Sequence, residues 1–383
     1  MQDRISTRLM TAAGALFVGF CIATGSGGTA FAIDDALNAV VDRKIGFVLY
    51  DKHDAVYATK EMKECPHGYN PGLREQWAVL FPDNGHKWTI QETQLEREGE
   101  IWFPGRTAEP YPYYDVEGTI SYGLNLDGKV GPNDFTSPEG EKGIDNQMYR
   151  ATGCIRAYRG PDGFRYNYLQ KEMISNDYNR FSIEISNVDS LVNDDDVTVT
   201  TYHTRDQVET DATGAFTEGG TQRVDYKFGK KLIAHFHGKI VNGVLMTEPG
   251  DFWYVDSDIH SNVSNQFMRA ARFKLKLTPN HAEGFLGGYV DVERYYLTLQ
   301  QSFSTSHQTY GALSSPSLYR ALHRLADAYP DPKTGANTAI SQAVQMKFVQ
   351  AFILHPPEEL NANKKLVSEK ATAPEIKVAD QSR

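Results

Sequence analysis

The spacing of apolar side chains along the chain changes period near residue 119 and again near residue 301. Between these points, "TISYGL", "FSIEISNV", "DVTVTTYHT", "RVDYKFGKKLIAHFHGKIVNGVLMT" and "ARFKLKLTPNHAEGFLGGYVDVERYYLTL" alternate apolar with polar residues, the period of half-buried strands. Asn242-Gly243 sits between two such runs as a two-residue hairpin turn. No helical crossover separates the runs, which argues against a parallel sheet and for antiparallel pairing. The expectation is a mainly β protein with an antiparallel β-sandwich or jelly-roll-like core over residues 119–301.

Downstream, the period becomes helical. "SSPSLYRALHRLADAY" offers Ser315 as N-cap and Pro316 at the first helical position, with Leu318, Leu322, Leu325 and Tyr329 on one face. "NTAISQAVQMKFVQAFIL" predicts a second helix that stops at His355-Pro356-Pro357, so residues 302–357 read as a C-terminal helical hairpin. Residues 358–383 alternate charges with alanine and predict a disordered tail. Upstream, residues 33–118 read as an irregular α+β segment packed on the core, in which "KIGFVLYDKHDAVYAT" is a hairpin turning around Asp51 to Asp54.

The first 32 residues change the setting. Arg4 and Arg8 precede a small and apolar run from Leu9 to Ile22, and Ala30-Phe31-Ala32 forms an A-x-A cleavage site, so a signal peptide cleaved after Ala32 is expected. This implies a periplasmic or secreted protein, and no later run approaches the roughly 20 apolar residues of a membrane span. Export leaves Cys65 and Cys154 as an even pair in an oxidising compartment, which predicts one disulfide. The formal charge of −10 repels phosphate backbones, disfavours nucleic acid and suits divalent cations.

The densest oxygen chemistry lies in "NLDGKVGPNDFTSPEGEKGIDNQ", residues 125–147. With Asp127 at position 5 of a calcium loop, Asn125 falls at 3, Gly128 at 6, the Lys129 carbonyl at 7 and Asp134 at 12. "NLDGKVGPND" resembles the calcium loop of dockerin modules over about a dozen residues, and it departs from them at position 1, which is Gly123, and in lacking a second copy and flanking helices. Docking to a cohesin is therefore not implied. Asp145 and Asn146 are the downstream candidates to complete a Ca²⁺ site of structural character, and the alternative for the loop is a solvated Gly/Pro-rich surface.

Other constellations carry alternatives. His235 and His237 lie two apart on a predicted strand, the spacing of strand-borne Zn or Fe ligands, with His260, His281 or Asp258 as a third ligand. Glu184, Asp251, Asp256, Asp291 and Glu293 are carboxylates on or beside strands, from which a glycosidase would need two at a fixed separation. "PYPYYD" and "GDFWYVD" are aromatic groups suited either to stacking on sugars or to anchoring loops. G-x-S-x-G, H-E-x-x-H, a P-loop and the dinucleotide glycine pattern are missing from the mature sequence. The sequence thus reads as an exported, calcium-stabilised binding or accessory component without catalysis of its own, its partner a carbohydrate or an envelope protein. A carbohydrate-active or metal-dependent hydrolase on a sandwich scaffold is the alternative.

Overall fold

The computed structural model of the protein describes residues 39–70, 82–87, 89, 96–97, 100–101, 113–159, 180–254, 266–303 and 315–357. The expected signal peptide, the C-terminal tail, Asp256, Asp258 and His260 lie outside the described residues.

Eight strands form the wall: β1 (Lys44–Asp54), β2 (Phe181–Ser186), β3 (Asp194–His203), β4 (Ala234–Val241), β5 (Val244–Thr247), β6 (Gln266–Leu277), β7 (His281–Asp291) and β8 (Asn337–Leu354). Each pairs antiparallel with the next, and β8 returns to pair with β1. The sheet is therefore mainly β and antiparallel as expected, but it closes on itself as an eight-stranded meander barrel and does not split into the two layers of a sandwich or jelly roll. Closure removes the sheet edges that a sandwich leaves open.

The predicted hairpin of helices is half right. Ser315–Leu325 is helical (α3), whereas Asn337–Leu354 is the longest strand of the wall. The runs "NTAISQAVQMKFVQAFIL" and "VERYYLTLQQSF" exchange roles with expectation, since Val292–Phe303, read as strand, is a helix (α2). A third short helix, α1, covers Gln147–Thr152. The turn expected at Asp51 to Asp54 is absent too. Instead β1 runs through it with a bulge between Leu49 and Asp51.

Inside the barrel, alternation is regular: Ile45, Phe47 and Leu49 of β1, Phe181, Ile183 and Ile185 of β2, and Phe273 and Leu275 of β6 are all at most 1% exposed. Six phenylalanines dominate. Phe181 stacks on Phe273 (6.5 Å) and tilts on Phe348 (6.3 Å), while Phe236 meets Phe252 and Phe273 edge-on at 5.4 Å each. Such offset and edge-on contacts suit the ring quadrupole. Helices α1, α2 and α3 add Met148, Tyr295, Tyr296, Leu318 and Leu322 to the same core.

The outside of the wall is covered in two places. Residues 204–228 lie over β1, β2 and β8, closed by parallel pairing of Gly220–Arg223 with Ala351–Leu354. The acidic loop lies over β6, β7 and β8, anchored by Leu124 and Leu126 at Gly287, where a Cβ would come within 3.0 Å of the Leu124 side chain.

Candidate functional site

A closed barrel of eight strands has an interior that side chains fill or that holds one small ligand, so the interior and its openings are the first place for a site. Two features interrupt the apolar filling. The bulge in β1 shifts the alternation, so that Lys52 pairs laterally with Met346 and Asp54 with Val344, both inward residues of β8. Residues paired across a ladder share a face, which turns Lys52 and Asp54 into the barrel. Lys52 is only 3% exposed. Gln342 faces inward one step further along β8 and donates from Nε2 to Asp54 Oδ1 (3.2 Å), while its own Oε1 has no hydrogen-bond partner among the described residues. Burying a lysine is costly unless it is paired, so this polar step of Lys52, Asp54 and Gln342 is a built feature of the barrel.

The second feature is in the wall. β4 and β5 pair from Val241↔Val244 to Thr247↔Gly238, and the Glu248 N–H reaches the His237 carbonyl at 2.7 Å. Beyond this point the fifth strand resumes as Gly250–Tyr254, but this part pairs with β6 alone, and no ladder joins it to Ala234–Phe236 among the described residues. The wall parts here into a seam. The Phe236 ring fills it from inside, so close to the backbone that a Cβ on Gly250 would sit 2.8 Å from the ring. On the outer lip, Trp253 carries two cations over its ring, Lys231 Nζ at 3.8 Å and the Arg294 guanidinium at 4.3 Å, and contacts Phe267 at 5.2 Å.

The acidic loop is ordered by its own hydrogen bonds. Asn125 Oδ1 accepts from the Gly128 N–H (2.7 Å), its Nδ2 donates to the Lys129 carbonyl (2.8 Å), and Asp127 Oδ1 accepts from the Lys129 N–H (2.8 Å). Asp134 caps the Gly131 N–H. Asp145 lies beneath, accepting from Leu126 N–H (2.6 Å) and Asp127 N–H (3.3 Å). Burial, with Asp134 and Asp127 as negative neighbours, pushes its carboxyl up to about 6 against the pull of those hydrogen bonds. Asp327, buried against Ser341, is raised in the same way. Among the described residues, no three His, Cys, Asp or Glu side chains are grouped as a metal centre.

The remaining predicted residues separate. Cys65 and Cys154 form the expected disulfide, with Cα atoms 5.7 Å apart and both side chains buried. Beside it the buried Glu64 and Arg159 make an ion pair. Phe236 points into the core, so His235 and His237 face outward and exposed, His235 within 3.0 Å of the Thr200 hydroxyl. His281 is exposed at the start of β7.

The carboxylates proposed for hydrolysis occupy unrelated positions. Asp291 caps α2 at the Arg294 N–H (2.8 Å), Asp251 accepts from the Ala270 N–H (2.8 Å), and Glu293 binds Tyr319 and His323. Glu184 lies on the outer wall, 3.2 Å from His355 Nε2 and 3.7 Å from Lys44 Nζ. Burial alone would raise its carboxyl, yet His355 and then Lys44 hold it below the ordinary value. His355 also rests against the Tyr202 ring and reaches the Tyr226 hydroxyl (3.4 Å), fastening the end of β8 to the wall.

The inward turn of Lys52, the seam and the Glu184–His355 pair were not anticipated. A bulge leaves no composition signal, and the seam depends on which strands fail to pair. Only the juxtaposition of Lys231, Trp253 and Arg294 had a partial trace, in the aromatic "GDFWYVD". No protein-family model, curated protein or solved structure matches the chain.

Proposed function

We propose that the protein is an exported binding or accessory component without catalytic activity of its own, which holds a small molecule in a closed β-barrel. The observation that carries this reading is the barrel interior: a ring of phenylalanines, an inward polar step of Lys52, Asp54 and Gln342 on one side, and a seam between β4 and the continuation of β5 on the other. Apolar surface with a few convergent polar groups is the usual make-up of a small-molecule site. The buried Cys65–Cys154 disulfide fits an oxidising compartment, which agrees with the signal-peptide reading of residues 1–32. Native mass spectrometry of the full chain, purified from the compartment to which it is exported, tests the reading. A fraction carrying a discrete added mass that is released on denaturation is expected. A homogeneous unliganded mass, with turnover of glycosides abolished by Glu184→Gln in a folded variant, would favour the hydrolase instead.

A second reading rests on Asp145. Three carboxylates, Asp127, Asp134 and Asp145, share one loop, and the Asp145 carboxyl is raised first by burial and then by the negative charge of Asp134 and Asp127. Ca²⁺ accepts carboxylate, amide and backbone oxygens in flexible geometry, and Asn125, the Lys129 carbonyl and these acids supply that donor set. In this reading calcium is structural and relieves the repulsion. Metal analysis and thermal melts before and after EDTA test it, with about one Ca per chain and a lowered melt expected. An unchanged melt counts against it.

A further inference from the structure

The acidic loop has an outer side that closes on itself and an inner side that faces the wall. On the outer side Asn125, Asp127 and the Lys129 carbonyl bond one another or the loop backbone, and the Lys129 ammonium lies 3.6 Å from Asp127 Oδ2. On the inner side Asp145, 6% exposed, spends Oδ2 on both of its hydrogen bonds, from the Leu126 and Asp127 N–H groups. Its Oδ1 makes none among the described residues.

Gln147 ties this inner side to β8. Its N–H donates to Ser341 Oγ (2.9 Å), and its Nε2 donates to the carbonyl of Asn133, the neighbour of Asp134 (2.8 Å). Ser341 in turn donates from its N–H (2.8 Å) and its Oγ (2.6 Å) to the two oxygens of Asp327, which follows α3. Tyr289 of β7 pairs laterally with Ser341, and its ring lies in one cluster with Leu126 and Ala328, the neighbours of Asp127 and Asp327. Asp134, Asp145 and Asp327 are therefore fixed by separate segments around one tyrosine.

Tyr289 adds a group of a different kind. It is 8% exposed, and no hydrogen bond reaches its hydroxyl among the described residues, although a phenol buried this far ordinarily has a partner. Burial and then the charges of Asp145, Asp327 and Asp127 push the phenol up, so its hydroxyl end lies in their field. Arg272 opposes them from its bond to the Asn125 carbonyl (3.0 Å).

We infer that the space between the loop and the wall is a divalent-cation site, in which Asp134, Asp145 and Asp327 hold a hydrated Ca²⁺ and a water on that ion donates to the Tyr289 oxygen. The three acids are not grouped closely enough to share a bare ion, and Ca²⁺ accepts water beside carboxylate in its shell. Asp145 Oδ1 is the direct ligand on the floor. Asp327 is exposed at the rim and opens the way from solvent. Three negative charges around a half-dry space attract a dication more strongly than a monovalent ion.

This inference rests on the calcium reading above and moves its ligands from the outer to the inner side of the loop. The test is calorimetric titration of the EDTA-stripped full chain with CaCl₂, each variant also being melted in EDTA. One Ca²⁺ per chain is expected. Tyr289→Phe, which removes one oxygen and keeps the ring in place, should weaken it about threefold. Asp327→Asn should weaken it about tenfold, and Asp127→Asn, acting through its charge alone, about twofold.

Tyr289→Phe decides if Asp327→Asn also lowers the melt in EDTA, since the loss of a single oxygen leaves the packing intact. Parent-like affinity in Tyr289→Phe, or in an Asp327→Asn chain that melts like the parent, would overturn the inner site. If Asp127→Asn then abolishes binding, the outer side holds the ion and the calcium reading stands. No saturable uptake of Ca²⁺ by the parent chain would sink both.

Discussion

One side of the barrel is a continuous ladder and the other is parted. β8 pairs with β7 without interruption from His281↔Val349 to Asp291↔Ala339, and with β1 from Phe47↔Gln350 to Asp54↔Val344 across one bulge. On the opposite side β5 ends at Thr247, its continuation pairs only with β6 among the described residues, and the register of β6 itself shifts between Arg269 and Arg272. The same residue type serves both sides, Phe348 on the first and Phe236 on the second, each buried. The difference is in what surrounds the ring. Phe348 is enclosed by strands paired on both edges, whereas the segments beside Phe236 are each laddered on one edge among the described residues, Ala234–Phe236 to β3 and Gly250–Tyr254 to β6.

Truncation of the two rings separates rigid from yielding packing. Phe348→Ala is expected to cost about 4 kcal/mol, since a cavity in a fixed wall cannot collapse. Phe236→Ala is expected to cost roughly half as much, because the parted strands can close over the gap. Urea denaturation of both variants measures this, and equal losses would show that the seam is as stiff as the ladder.

The closed side is also tied to the N-terminal part of the chain. Asn146, which caps α1, bonds the Ala343 N–H of β8, and the Gln147 N–H bonds the Ser341 hydroxyl, so the helix that leads to Cys154 is fixed on β8. Replacing both cysteines by serine should cost about 3 kcal/mol from a cross-link with a sequence separation of 89 residues. Hydrogen exchange sharpens the comparison: protection should fall first in α1 and the adjoining part of β8, with β4 and β5 changed least. Uniform loss along all eight strands would mean that the two sides open together.

What the sequence made legible follows the same division. β4 and the Asn242-Gly243 turn, with φ of 51° and 78°, were readable because β4 buries one face and exposes the other. β2 and β3 were readable because their residues alternate apolar with polar, although much of the polar face is also covered. β8 was not. From Ala339 to Val344 every residue is buried, since the barrel core covers one face and α1 and the acidic loop cover the other, and two-sided burial erases the alternation that marks a strand. Its Ala, Gln, Met and Lys favour a helix locally, and tertiary pairing on both edges overrides that preference. At the site, Phe252 and Trp253 were visible as an aromatic group, but their opposite faces depend on strand pairing, and Lys231 and Arg294 join them from distant positions. Lys52 was hidden because a one-residue bulge turned it inward.

The smallest expected effect probes the cover of the closed side. Asp145 has an ordinary value of 3.8 and is pushed up to about 6 in the folded chain, so the native state favours the protonated carboxyl. Stability from this group is then full below 3.8 and is lost as pH rises through 6. After allowance for solvent screening the loss is on the order of 1–2 kcal/mol. Asp145→Asn keeps an oxygen for the Leu126 N–H and removes the charge, so the difference in Tm between variant and parent should grow in the variant's favour from pH 4 to pH 7. Excess Ca²⁺ at pH 7 should shrink that difference by stabilising the parent alone. A difference independent of pH would mean that the carboxylate is already compensated inside the loop, and would leave calcium without the repulsion that it is proposed to relieve.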